Sequence, residues 1–198
     1  VYNPYAASKH DRLEDISQEL RMWDIIMLSG VYAWQDSGQS MKTLDLGKHW
    51  GVQWGGKKSL WVSKVCGVTI LVRKEFACRE QVVEYYNPPA AIQGRAGGMR
   101  LRTRGTPTAP AVDLALFVVY LAPNYYTRYE DIANRVIGWV EDKCDRVATR
   151  TTPIVGGDIN SQLGQQREAD GHPRVSDDVI IGPYGGKIEN HNGRTFRQ

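Results

Sequence analysis

The chain has no apolar run long enough to cross a bilayer, which takes about 20 consecutive apolar residues. A membrane span is therefore not expected. Cysteine is scarce: Cys66, Cys78 and Cys144 are an odd number without Cys-x-x-Cys spacing, so neither a disulfide framework nor a zinc site is indicated and an intracellular, reducing compartment is expected. No charged segment leads into an apolar one after Val1, so no signal or transit peptide is expected. Neither charge sign dominates. A formal charge of +3 over 198 residues permits nucleic-acid contact without requiring it. Internal repeats and low-complexity tracts are absent as well, which excludes solenoids and arrays.

What remains is an ordinary globular composition, 41% hydrophobic and 24% charged, and a length that suits one α/β domain over residues 1–198. Ser8 with Asp11 resembles a capping box, and Leu13, Ile16, Leu20 and Trp23 follow at helical spacing, so a helix is expected over Arg12 to Met22. Asp24 to Leu28 is a short apolar run that suits a buried strand. Trp34 to Lys58 reads as loops with a short hairpin around Trp50 to Gly56. Val68 to Val72 and Leu114 to Tyr120 read as buried strands, and Glu80 to Tyr86 as another strand. Met99, Leu101 and Thr103 alternate with Arg100, Arg102 and Arg104, giving one apolar and one cationic face; that basic stripe is either a solvated edge or a phosphate-contacting one. Thr127 with Glu130 forms a second capping box before Ile132, Val136, Val140 and Cys144, so Glu130 to Val147 is expected as a helix, with Thr152 to Val155 as a buried strand after it. Asn160 to Gln198 is expected to be mainly loop.

Metal-dependent phosphodiester cleavage needs hard oxygen ligands, a group that orients the attacking water, and donors for the charge developing on phosphorus. Gly156-Gly157-Asp158-Ile159-Asn160 follows an apolar strand, so Asp158 and Asn160 lie at its end on one side. They could align a water and hold a phosphate oxygen. A calcium loop fails here, because Leu163 stands where that loop requires glycine and its twelfth position is not acidic. A strand followed by an Asp/Asn turn is the plain alternative.

The order of several segments resembles the endonuclease/exonuclease/phosphatase superfamily. Tyr2-Asn3, the first helix, Leu28-Ser29-Gly30, Gly67-Val68-Thr69-Ile70-Leu71-Val72, Gln93-Gly94-Arg95, Tyr120-Leu121-Ala122-Pro123-Asn124 and Gly157-Asp158-Ile159-Asn160 follow that family's order and spacing. Gly186, Asn190, Asn192 and Gly193 look like the pattern that follows in endonuclease domains of non-LTR retrotransposons and their domesticated relatives. The resemblance implies a two-sheet α/β sandwich of the deoxyribonuclease-like type, C-terminally incomplete, and a Mg²⁺-dependent phosphodiesterase. It would make Asn3 a metal-shell or phosphate-site residue, Arg95 a phosphate or nucleic-acid contact, and Tyr120 a hydroxyl donor to phosphate. Asp158 would position or activate water, and Asn160 would be its orienting partner.

The chain departs from the pattern where the chemistry depends on it. The family's metal-binding Glu falls on Gly30, Gln93 replaces the Glu of the Glu-Gly-Arg segment, and the family's Ser-Asp-His segment is not in the sequence; His172 and His191 lie before its place. Asp24 falls at the opposite end of its strand and Asp36 in a loop, so neither substitutes for the missing carboxylate. The expectation is a pseudoenzyme, a degenerate endonuclease-like domain that binds Mg²⁺ weakly or not at all and serves as a binding or structural subunit, with nucleic acid or a protein complex as partner. The alternatives are an active Mg²⁺-dependent endonuclease completed by residues beyond Gln198, and a phosphatase for small phosphorylated molecules.

Overall fold

The computed structural model describes residues 9–31, 33, 41–57, 66–105, 110–121 and 128–160. The chain divides into two compact units, Val1–Tyr120 with Trp139–Asp158, and Leu121–Gly138 with Ile159–Gln198. The first unit contains an α/β two-sheet sandwich, as the sequence predicts.

Its first sheet is built from β1 (Ile25–Ser29), β2 (Met41–Leu46), β3 (His49–Trp54) and β4 (Val68–Arg73), in the order β1-β4-β3-β2 and antiparallel throughout. The second holds β5 (Val82–Tyr86), β6 (Ala96–Arg102), β7 (Asp113–Tyr120) and β8 (Thr152–Asp158), in that order. Among the described strands only β7 and β8 run parallel, and α2 (Arg128–Arg146) lies between them in the chain, because parallel neighbours need a crossover.

Period-two alternation determines which side chains meet. Trp50, Val52, Trp54, Val68, Ile70 and Val72 from the first sheet share one core with Met99, Leu101, Leu114, Leu116 and Val118 from the second. The two indoles there also satisfy their N–H groups, Trp50 on the Ala77 carbonyl at 2.6 Å and Trp54 on Asn87 Oδ1 at 3.0 Å. On the other face of the first sheet, Leu13 of α1 (Lys9–Glu19) packs with Ile26, Leu44, Leu46 and Leu71. A polar pin accompanies this contact. His49 is wholly buried; its Nε2 lies 3.0 Å from the Trp23 carbonyl, which can only accept, so Nε2 carries the proton and Nδ1 accepts from the Ser17 hydroxyl at 2.8 Å. On the outer face of the second sheet, Trp139 meets the Phe117 ring edge-on at 6.1 Å. Within the second unit, Asp131 and Arg135 form an i,i+4 ion pair along α2.

Several expectations are corrected in detail. The first helix begins three residues earlier than predicted, at Lys9, and ends at Glu19. The hairpin is β2–β3 and turns at Gly47–Lys48, where Glu14 of α1 accepts the Gly47 N–H at 2.8 Å, so Trp50 to Trp54 are strand. The start of the expected strand at Glu80 is a 3-10 turn, Arg79–Gln81, before β5. Thr152 to Val155 form a strand as expected, but not a buried one: Ile154 and Val155 are 40% and 47% exposed. Among the described strands β8 is the last of its sheet, and an apolar run does not distinguish such a position from a central one. Ser8, Thr127, Asp36, His172, His191 and residues 161–198 lie outside the described residues.

Candidate functional site

Asp158 ends β8 and Tyr120 ends β7, and the parallel register sets the two residues opposite each other. Alternation puts both on the face that carries Leu116 and Val118, so their side chains leave the sheet on the core side at its C-terminal edge. Gly157 makes this ending possible. Its φ of 137° lies where L side chains rarely go, and a Cβ there would run into the Val119 carbonyl oxygen.

Arg95 joins them from the turn before β6. The Tyr120 N–H donates to the Arg95 carbonyl at 2.8 Å, and the Arg95 guanidinium lies 4.7 Å from the centre of the Tyr120 ring. Arg95 is completely buried and Tyr120 is 7% exposed, so this cation–π pair is withdrawn from solvent, whereas Asp158 is exposed. A nucleic-acid strand at the surface would meet Asp158 before it met Arg95.

The first sheet contributes the end of β1. Ile25 and Met27 pack into the inter-sheet core while Ile26 and Leu28 face α1, so Ser29 belongs to the inner row. Its Oγ accepts the Asp158 N–H at 3.0 Å. Gly30 follows at φ 67°, in the left-handed region, where a residue with a Cβ is disfavoured by roughly 1–2 kcal/mol. Asp24 lies at the opposite end of β1, as expected, and is held by Arg73 at 2.6 Å.

Of the residues singled out by sequence, Arg95, Tyr120 and Asp158 come together, with Ser29 and Gly30 beside them. Asn3 lies outside the described residues. Asn160 belongs to the second unit, where its Nδ2 donates to the Leu121 carbonyl at 2.7 Å and its φ is 44°. Ser29 was not anticipated as a site residue, although the alternation Ile25, Met27, Ser29 would have found it once the strand was extended by one residue.

Two arginines of the basic stripe, Arg100 and Arg102, share one carboxylate. Arg100 makes two bonds to Asp113, from Nε at 2.9 Å and Nη2 at 2.8 Å, and Arg102 adds Nε at 2.8 Å. Thr151 donates to the same carboxylate at 3.2 Å. Above all the Arg100 hydrogen bonds, against the opposing cost of burial, and then those from Arg102, hold the Asp113 carboxyl far below the usual carboxylate range. Burial, then the neighbouring Glu84 charge, pushes the Tyr86 phenol up.

Asn3, which the resemblance makes part of a Mg²⁺ site, lies outside the described residues. Asp158 is the carboxylate in this constellation, position 30 has no side chain, and no three His, Cys, Asp or Glu side chains among the described residues are grouped to hold a metal ion. No described helix is long and apolar enough to cross a membrane. In comparisons with protein-family models and with curated proteins, nothing matches the sequence.

Proposed function

We propose that this is a degenerate phosphodiesterase domain, similar to the endonuclease/exonuclease/phosphatase superfamily and within it to endonuclease domains of non-LTR retrotransposons, retained as a binding or structural subunit. One observation carries the reading: Tyr120 and Asp158 stand side by side at the C-terminal ends of two parallel strands, and the end of β1 that faces them offers a hydroxyl and a glycine where the chemistry requires a carboxylate. Strand ends of this kind are where α/β folds gather reacting groups. The arrangement supports a phosphate-directed ancestry. Asp158 can orient a water and Tyr120 can donate to a phosphate oxygen, but charge neutralisation by a tightly held cation is missing, and that term is worth orders of magnitude in phosphoryl chemistry.

The alternative, an active Mg²⁺-dependent endonuclease completed by residues beyond Gln198, draws its support from the retained Asp158 and Tyr120. Cleavage of labelled DNA, RNA and abasic DNA by the natural full-length protein, with Mg²⁺ and with chelator, separates the two. The degenerate reading expects equal, background-level products in both. Mg²⁺-dependent products would establish the alternative.

A further inference from the structure

The missing carboxylate at position 30 suggests a simple repair, in which glutamate is put back and the cation returns. The local geometry argues against it. The chain does not continue extended: Gly30 turns at φ 67°, where a glutamate would be strained whichever way it pointed. Meanwhile the inward position is already in use, because the Ser29 hydroxyl accepts the Asp158 N–H at 3.0 Å and ties the end of one sheet to the end of the other.

We infer that Ser29 is the positioning residue for Asp158, and that its hydroxyl, rather than a shared divalent cation, joins the ends of β1 and β8, so that a carboxylate restored at position 30 does not rebuild a metal site. This rests on the reading of the domain as a degenerate phosphodiesterase. Ser29 acts through backbone: it fixes where β8 ends, and thereby where the Asp158 carboxylate stands beside Tyr120. A cation bridging the two strand ends would need ligand oxygens from both, and at this end of β1 no carboxylate side chain is present, while the Ser29 hydroxyl already accepts the Asp158 N–H.

The test is Mn²⁺ binding, followed by the electron paramagnetic resonance of the free ion, for the wild-type protein, Gly30→Glu and Gly30→Glu/Asp158→Asn, with thermal melting of each and amide exchange of Asp158 in Ser29→Ala. Wild type and Gly30→Glu should bind Mn²⁺ with the same affinity, weaker than about 1 mM. Ser29→Ala should exchange the Asp158 amide at least about tenfold faster while distant core amides keep their protection. A folded Gly30→Glu that gains about tenfold or more in Mn²⁺ affinity, and loses the gain with Asp158→Asn, overturns the inference and leaves the degenerate reading standing. Tight, Asp158-dependent Mn²⁺ binding by the wild-type protein overturns both. Should Gly30→Glu fail to fold, the exchange measurement decides alone, and unchanged protection of the Asp158 amide in Ser29→Ala overturns the inference.

Discussion

Tyr120 and Asp158 are opposed across the parallel pair β7–β8, and the ring of Tyr120 rests against the buried guanidinium of Arg95. The ring and the phenol of Tyr120 therefore have separable roles. Tyr120→Phe keeps the aromatic face and should unfold in urea close to wild type, whereas Tyr120→Leu removes it from a desolvated cation and should cost about 2 kcal/mol or more. Equal losses in the two variants would show that the hydroxyl, not the ring, supports Arg95.

Asp113 should give the fold an acid-sensitive limb. Its folded carboxyl titrates far below the unfolded value near 3.9, chiefly through hydrogen bonds from Arg100, so its contribution is fully present above that value and is lost as pH falls through the folded one. Asp113→Asn should lower stability at pH 7 by about 2 kcal/mol and flatten the dependence below about pH 4. Urea midpoints at several pH values check this; a variant with wild-type acid sensitivity would contradict it.

The buried pair Ser17–His49 offers a prediction with no bearing on catalysis. Ser17→Ala leaves Nδ1 of His49 without its donor in a site closed to water, which should cost about 1–3 kcal/mol. Chemical denaturation measures it, and a loss below about 0.5 kcal/mol would mean that the hydroxyl bond is not needed there.

Gly157 and Gly30 should respond differently to alanine. At Gly157 an added Cβ meets the Val119 carbonyl oxygen as well as an unfavourable φ, so Gly157→Ala should destabilise by several kcal/mol or fail to accumulate. For Gly30→Ala the left-handed conformation sets the expected cost, about 1–2 kcal/mol. Melting temperatures in the reverse order would contradict the assignment of strain.

Much of the architecture was legible because its signals are local. The apolar runs at Val68 to Val72 and Leu114 to Tyr120, and the four-residue spacing from Ile132 to Cys144, translate directly into β4, β7 and α2. What was not legible depends on partners distant in sequence. Nothing in Met99 to Arg104 announces that Asp113 will pair with both Arg100 and Arg102, and nothing around Thr152 to Val155 says that the strand will be the last of the described strands in its sheet. The candidate site divides along the same line. A strand end placed Asp158 and the resemblance placed Tyr120, whereas Ser29 became visible only when β1 and β8 met, and the left-handed turn at Gly30 has no counterpart in composition.

A degenerate domain of this kind keeps its phosphate-directed groups without the cation site that would make them catalytic. The most direct measurement is the single-turnover rate of phosphodiester cleavage by the natural full-length protein and its Asp158→Ala variant on DNA, RNA and abasic DNA across a range of Mg²⁺ concentrations. The account predicts that neither protein exceeds background and that Mg²⁺ changes neither rate. Robust Mg²⁺-dependent turnover by the wild-type protein, abolished by Asp158→Ala, would contradict it.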